Sequence, residues 1–487
     1  MAPTHSFKTT RLSTLLISVL LATSVIAADF VQEKRAPTPI QERAPVIQSG
    51  IPAGHGIATR TRQTRHLRWD DGFEHNNLFP RAETDQNPAP AAAPAPAPVR
   101  DDGYIQEYNP KVGPQRGVKG APFYQQSNQG IDAQNPDNVA RPPTDNGFVP
   151  NLKWAISLST TRLLKGGFVR EQLVQDLPVS KDIAAAELAL KPYAYRELHW
   201  HRVAEWAYVL AGNGRLNVLD EDGKTYQSDI EVGDVWYFPK GSGHSFQALD
   251  QGLEILVVFA DGNFEAAGTT FLLSDWLIHT PKYILAKNFG VDVKVFDSLP
   301  AAAPYIYQSP SGAIPSKDPK GIPSPNGEVD NPFVYKLGKA KPEKGKGGWL
   351  KIADSRNFPA STQIASALVH VDVGGLRELH WHPRADEWIY IIQGHARITA
   401  FQGGQAARTF NFQTGDTGVL PTNFGHYVEN VGKEPLVFLE LYKSNRVSDI
   451  SATQWLALTP HQAVADLLNI SKSVVDQFPT TRQLFVK

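Results

Sequence analysis

The sequence predicts an all-β protein made of two copies of one small barrel, with short flanking helices. Three observations predict it. The stretch from Arg196 to Trp206 (RELHWHRVAEW) returns from Arg377 to Trp388 (RELHWHPRADEW). Around each copy, short runs rich in Val, Ile, Phe, Tyr and Trp are separated by Gly, Asn and Asp turn signals, the pattern of many short strands. Each copy also carries two histidines two residues apart (His199 and His201, His380 and His382), a spacing that puts both imidazoles on one face of a strand.

The repeat sets the domain organisation. Arg196, His199 and His201 recur 181 residues later. One residue is inserted before Glu387, so the spacing becomes 182 from Glu205/Glu387, through Gly212/Gly394 and Gly233/Gly415, to His244/His426. Two domains of one fold are expected at 151–310 and 331–487, joined by a Pro-, Ser- and Gly-rich linker. Arg215–Leu219 runs into Asp220-Glu221-Asp222-Gly223, and Arg397–Phe401 into Gly403-Gly404, both hairpin signals. Metal-type residues on inward strand faces suggest a barrel or jelly roll. Thr280-Pro281 and Thr459-Pro460 read as helix starts, an N-cap followed by proline at the first helical position. With Phe259 matched to Leu441 and Trp276 to Trp455, the first copy is three residues longer in between. The surplus falls in Gly262–Thr270, a glycine-flanked segment expected to be a lid over the first site only.

Composition narrows the chemistry. Lysine plus arginine (48) nearly cancel aspartate plus glutamate (49), which leaves no electrostatic footprint for nucleic acid or an anionic membrane. There is no cysteine, so a metal must be held by nitrogen and oxygen.

Residues 1–27 read as a secretory signal, with Lys8 and Arg11 before the apolar run Leu12–Ile26 and a cut after Ala27. No other stretch approaches spanning length, so a secreted protein with no membrane partner is expected. Lys34-Arg35 offers a dibasic processing site. Residues 28–103 are rich in Pro and Ala (PAPAAAPAPAPV at 88–99) and read as a propeptide or low-complexity spacer. Residues 104–150 read as an N-terminal arm packing on the first domain or on a neighbouring subunit. Asn469-Ile470-Ser471 is a glycosylation sequon.

Each histidine pair is followed by a carboxylate and by one further histidine. His199, His201, Glu205 and His244 are expected to bind one divalent metal, and His380, His382, Glu387 and His426 a second. Three neutral imidazoles and one carboxylate leave positions open for substrate; the donors alone allow zinc, iron, nickel or manganese.

The pattern H-x-H-x(3 or 4)-E-x6-G, then G-x5-P and a histidine, resembles the two motifs of the cupins, double-stranded β-helix barrels. A duplicated cupin is a bicupin. The wording RELHWH…EW twice, with GDVWYFPKGSGHSFQA and LPTNFGHYVENVG, is similar to the oxalate decarboxylase family from about residue 110 to the C-terminus. The chain departs from the cupin motifs at Tyr193 and Asn423, where glycine is usual, and at Ala248, where asparagine is usual.

The resemblance implies manganese, two ions per chain, with dioxygen as co-catalyst and oxalate as substrate, and conversion of oxalate and a proton to formate and carbon dioxide. Barrels of this kind with extended arms often assemble, so a homo-oligomer is expected. The resemblance also puts Arg196 and Arg377 in the pockets, where a forked guanidinium would hold a dicarboxylate. Strict alternation puts Glu197 there instead, so the strand must bulge. An acid must protonate the carbon left behind, since otherwise a second carbon dioxide and hydrogen peroxide form. The lid carboxylate Glu265 is the candidate, although the family's serine-glutamate-asparagine run is replaced by Glu265-Ala266-Ala267-Gly268. Glu440, within the apolar run Leu436–Tyr442 and matched to Val258, corresponds to the family's second-site glutamate. Trp200 and Trp381 should point away from the metals and pack on the partner domain or subunit. The competing readings are an oxalate oxidase and a non-catalytic bicupin storage or binding protein; the latter usually lacks complete ligand sets.

Overall fold

The computed structural model describes residues 131, 134–138, 141–264, 268–309 and 321–487. The expected signal (1–27), the 28–103 segment, residues 104–130 of the arm, and Glu265 lie outside the described residues.

The first barrel is organised by two long antiparallel strands, Glu205–Leu219 and Gly243–Phe259, paired from Glu205↔Phe259 to Leu219↔Gly243. Their register slips at Val209/Ala211 and again at Gly212/Gly214, which bends both strands round the barrel. Gly212 makes the bend possible. Its φ is +74°, and a Cβ there would lie 2.1 Å from the Gly252 carbonyl oxygen. In the second barrel the same path is divided at Gly394 (φ 91°) into Glu387–Gln393 and His395–Gly403. Inward side chains fill each barrel: Val209, Leu216, Trp236, Phe246 and Ile255 in the first, and Val369, Ile389, Ile398, Phe410 and Phe438 in the second.

The barrels exchange their leading strands. Lys153–Ala155 pairs with Asp416–Leu420 of the second barrel, while Val334–Tyr335 pairs with Val235–Phe238 of the first. The described part of the arm follows the first exchange. Asp145 accepts from the Thr409 hydroxyl at 2.7 Å, and Lys153 Nζ pairs with Asp416 at 3.1 Å. The described part of the arm thus runs on the second barrel of its own chain, where the sequence suggested the first domain or a neighbouring subunit. A segment with no apolar period takes its place from the edge it meets, which local sequence does not specify. Between the barrels, Trp206, Tyr208, Tyr237 and Leu256 share one apolar cluster with Trp388, Tyr390, Leu439 and Leu441.

Short helices follow the strands: Leu273–Ile278 and Lys282–Phe289, then Ala452–Ala457, His461–Leu468 and Lys472–Val475. Pro281 and Pro460 occupy the N-caps, so each helix starts one residue later than expected. The Thr280 and Thr459 hydroxyls donate back to the carbonyls of Trp276 and Trp455 at 2.8 and 2.9 Å, so they belong to the preceding helices. Trp200 stacks on Phe271 at 5.4 Å and meets Trp276 edge-on, and Trp381 meets Trp455 edge-on. Within the chain both tryptophans therefore pack on elements of their own half, not on the partner domain. Tyr193 (φ 62°) and Asn423 (φ 69°) have left-handed backbones, the conformation for which glycine is usual at these motif positions. Among the described residues, no helix is long and apolar enough to cross a membrane.

Candidate metal centres

The strand Ala194–His201 pairs with Gly243–Phe259 through Tyr195↔Gln247, Arg196↔Phe246 and His199↔His244, with a register shift between Arg196 and His199. The strand Leu376–Trp381 has the same shift between Arg377 and His380. This is the bulge that the sequence required. It turns the arginine into the barrel beside the histidines. Glu197 and Glu378 are also buried, and their Oε2 atoms each accept from a serine hydroxyl, Ser274 or Ser451, at 2.7 Å.

Each imidazole is fixed by its Nδ1. His199 and His244 donate to the carbonyls of Glu197 and Ser242 at 2.6 and 2.9 Å. His380, His382 and His426 donate to those of Glu378, Ser448 and Phe424 at 2.6, 3.0 and 2.9 Å. His201 Nδ1 lies 3.1 Å from the Thr270 hydroxyl. A carbonyl only accepts, so in the five imidazoles that face one the proton sits on Nδ1 and the Nε2 lone pair is left for the barrel interior.

In each barrel the four candidate ligands offer atoms within 4.8 Å of one another, and all eight residues are buried. Glu205 Oε2 lies 3.1 Å from His201 Nε2 and 3.3 Å from His244 Nε2; Glu387 Oε2 lies 3.1 Å from His382 Nε2 and 2.9 Å from His426 Nε2. Yet Nε2 of His201, His244, His380 and His426, and both Glu387 oxygens, have no hydrogen-bond partner among the described residues. Converging, buried and unsatisfied polar atoms are costly unless a cation joins them, so these residues fit a divalent metal. Burial and then the nearby arginine (Arg196 or Arg377) hold the pKa values of His199 and His380 well below the ordinary value, which keeps them neutral, as ligands must be. Burial also lowers that of His201, to about 4. Burial pushes the Glu205 carboxyl up, but His244 and His201 outweigh it and hold the group ionised.

The two arginines sit differently. Arg196 lies in a cavity with His199, His201, Glu205, Glu171, Phe264 and Tyr305. It donates to the Tyr305 carbonyl at 3.4 Å, and its guanidinium lies 3.8 Å from the Tyr305 ring centroid. Arg377 instead pairs with Asp449 and stands 3.9 Å from Glu440. Glu440 accepts from the Tyr442 hydroxyl at 2.9 Å. Burial, then Glu387, push its pKa up to about 7 against the pull of Arg377.

Strand pairing corrects two sequence matches. Ala186 faces Val257 and the equivalent Ala367 faces Glu440, so the counterpart of Glu440 is Val257, not Val258. Phe259 accordingly matches Tyr442, and the segment up to Trp276 or Trp455 is four residues longer in the first barrel, not three. One extra residue between His426 and Leu436 shifts the frame, which an ungapped repeat conceals. Phe264, at the start of the expected lid, stacks on Phe259 at 3.4 Å, beside His201. Tyr305 and Asp449 lie outside the repeated motifs, and the sequence carried no signal for them.

The cupin family model matches residues 159–296 and 335–476. A curated relative from Arthroderma benhamiae named "Probable oxalate decarboxylase" is 47% identical over 380 residues, 76% of this chain and 92% of its own length. The Bacillus subtilis oxalate decarboxylase is 47% identical over 375 residues, 77% of this chain and 96% of its own. A solved structure of the Bacillus subtilis enzyme, from work assigning its Mn(II) centres, superposes with a TM-score of 0.74 at 46% identity, covering 77% of this chain and 99% of that one. The chain belongs to the cupins and, within them, to the two-barrel oxalate decarboxylase family.

Proposed function

We propose that this chain converts oxalate and a proton to formate and carbon dioxide, and that the first barrel does so. The observation that carries the reading is the buried Arg196, which lines one cavity with His199, His201 and Glu205, beside the three convergent imidazoles and carboxylate of the first barrel. Manganese suits the donor set, with His199, His201, Glu205 and His244 as ligands in the first barrel and His380, His382, Glu387 and His426 in the second. A bound manganese ion would supply Lewis acidity and, with dioxygen as co-catalyst, one-electron redox chemistry.

The chain's own residues do the rest. Arg196 holds the carboxylate that is retained, through charge-assisted hydrogen bonds. Phe259 and Phe264 line the same cavity and exclude water. The lid carboxyl Glu265 delivers the proton to the carbon left behind, which separates decarboxylation from oxidation. In the second barrel Asp449 and Glu440 already compensate Arg377, so that site holds its metal and supports the fold. Exposed Trp276, Tyr283, Trp455 and Leu467 on the helices support a homo-oligomer. The apolar run before Ala27 supports secretion, with Ala28 as the first residue after cleavage.

Purified protein given manganese and air tests the reading. One formate per oxalate consumed is expected. Hydrogen peroxide in its place would assign an oxidase, and untouched oxalate a binding protein.

A further inference from the structure

We propose that Tyr305 is the positioning residue of the first site: it holds Arg196 by a ring face and a carbonyl, and so leaves the guanidinium charge for the substrate. The inference rests on the oxalate-consuming role of the first barrel. Two barrels built alike secure the same arginine in two ways, and the difference lies in charge.

The backbone half of the device is repeated. Tyr305 (φ 59°) and Leu484 (φ 62°) occupy matching places, each preceding a short strand that pairs with the arginine strand through Ile306↔Arg196 or Phe485↔Arg377. Both have left-handed backbones, unusual for residues with a Cβ. Each carbonyl accepts twice. Tyr305 takes the Glu197 N–H at 3.1 Å and the Arg196 guanidinium at 3.4 Å; Leu484 takes the Glu378 N–H at 3.0 Å and the Arg377 guanidinium at 3.3 Å. The strained turn therefore serves to aim a carbonyl at the arginine.

The side-chain half is not repeated. In the second barrel Arg377 lies against Asp449 and Glu440, and the nearest stacking ring, Phe485, is 5.7 Å away. In the first barrel Thr270 stands where Asp449 does, and Val257 where Glu440 does. Among the described residues no carboxylate pairs with Arg196. Its partner is the Tyr305 ring, on which Arg162 also rests at 4.5 Å, with Glu171 pairing with Arg162 at 3.2 Å. A π face steadies a guanidinium without supplying a counter-charge. A carboxylate would steady it more, but would compete with a dianionic substrate for the same fork. Tyr305 thus reconciles a fixed arginine with an available one.

Two substitutions separate ring from hydroxyl. Tyr305→Leu installs the second barrel's residue and keeps the backbone; Tyr305→Phe keeps the ring. Loss of the ring is expected to raise KM for oxalate about three- to thirtyfold. The oxalate dissociation constant, measured by calorimetry without air, is expected to rise by the same factor, with manganese content and kcat close to wild type. Tyr305→Phe is expected to match wild type within about twofold. Should the leucine variant misfold, Tyr305→Met makes the same comparison. The inference is overturned if the ringless variant binds oxalate as wild type does, or if Tyr305→Phe loses as much as Tyr305→Leu. A wild-type protein that leaves oxalate untouched would instead overturn the proposed function.

Discussion

Trp388 of the second barrel donates its indole N–H to Gln172 Oε1 of the first at 2.9 Å, while Trp206, its counterpart, has an indole nitrogen with no partner among the described residues. Strand pairing puts Ala353 where a second Gln172 would stand, since Gln172 faces Ala185 and Ala353 faces Ser366. Each tryptophan follows a metal-ligand glutamate, so the seam between barrels abuts both centres. The bond has no mirror image, so the seam is asymmetric here: the first barrel gives the acceptor and the second the donor, as they also do where Tyr390 donates to Glu187 at 2.6 Å.

Gln172→Ala is expected to strand the Trp388 N–H in an apolar cluster. The cost of leaving a buried donor unpaired is about 1–3 kcal/mol. Urea unfolding followed by tryptophan fluorescence checks it. Adding Trp388→Phe removes the stranded donor, so the double variant should lose less than the sum of the singles. Simple additivity would mean that the bond does not contribute.

Metal loading separates the two barrels. His201→Ala is expected to lower bound manganese from two ions per chain to one and to abolish formate production. His382→Ala should remove one ion as well, while the first barrel keeps its ligands. Elemental analysis beside a formate assay distinguishes them. Equal loss of turnover in both would show that the second barrel takes part in the chemistry.

The metal clusters were legible in the sequence because their residues are tied to a period: His-x-His needs only alternation, and the repeat supplied a second copy as a control. The bulge was legible as a conflict, since alternation put Glu197 inward and the resemblance put Arg196 there. What decides the character of each arginine was not legible. Tyr305 lies more than a hundred residues beyond Arg196, and Asp449 seventy-two beyond Arg377, each just before a short strand added at the sheet edge. Such strands carry no pattern of their own. Nor could the repeat place Glu440, because one inserted residue moves every later side chain to the opposite face of its strand.

Asp449 makes acid stability a test of the second barrel. Burial pushes its carboxyl up, but Arg377 and Arg482 outweigh burial and hold the pKa below the usual carboxylate value. A lowered folded-state pKa means that the folded chain favours the ionised form. Its stabilisation is present in full above the unfolded value of about 3.9 and is lost as pH falls through the lower folded value. Asp449→Asn leaves the buried Arg377 short of a counter-charge and is expected to cost about 3–5 kcal/mol at neutral pH. Below about pH 4 the gap between variant and wild type should narrow. Unfolding curves across pH check the sign; a gap that widened in acid would contradict it.

Two glycines with similar backbones separate strain from space. Gly212 and Gly241 have φ values of +74° and +82°. A Cβ on Gly241 would meet nothing within 4 Å, whereas one on Gly212 would lie 2.1 Å from the Gly252 carbonyl oxygen. Gly241→Ala therefore bears only the left-handed penalty, about 1–2 kcal/mol. Gly212→Ala bears that and also pushes apart the two longest strands of the first barrel, the ones carrying Glu205 and His244. It is expected to cost more than Gly241→Ala by a further 1–3 kcal/mol or so, the usual range for overpacking. It should also lower manganese in the first barrel before the second, since the bend sets the distance between those two ligands. Thermal unfolding and metal content, read on both variants, check the order; equal losses would mean that the close approach at Gly252 is relieved without moving the strands.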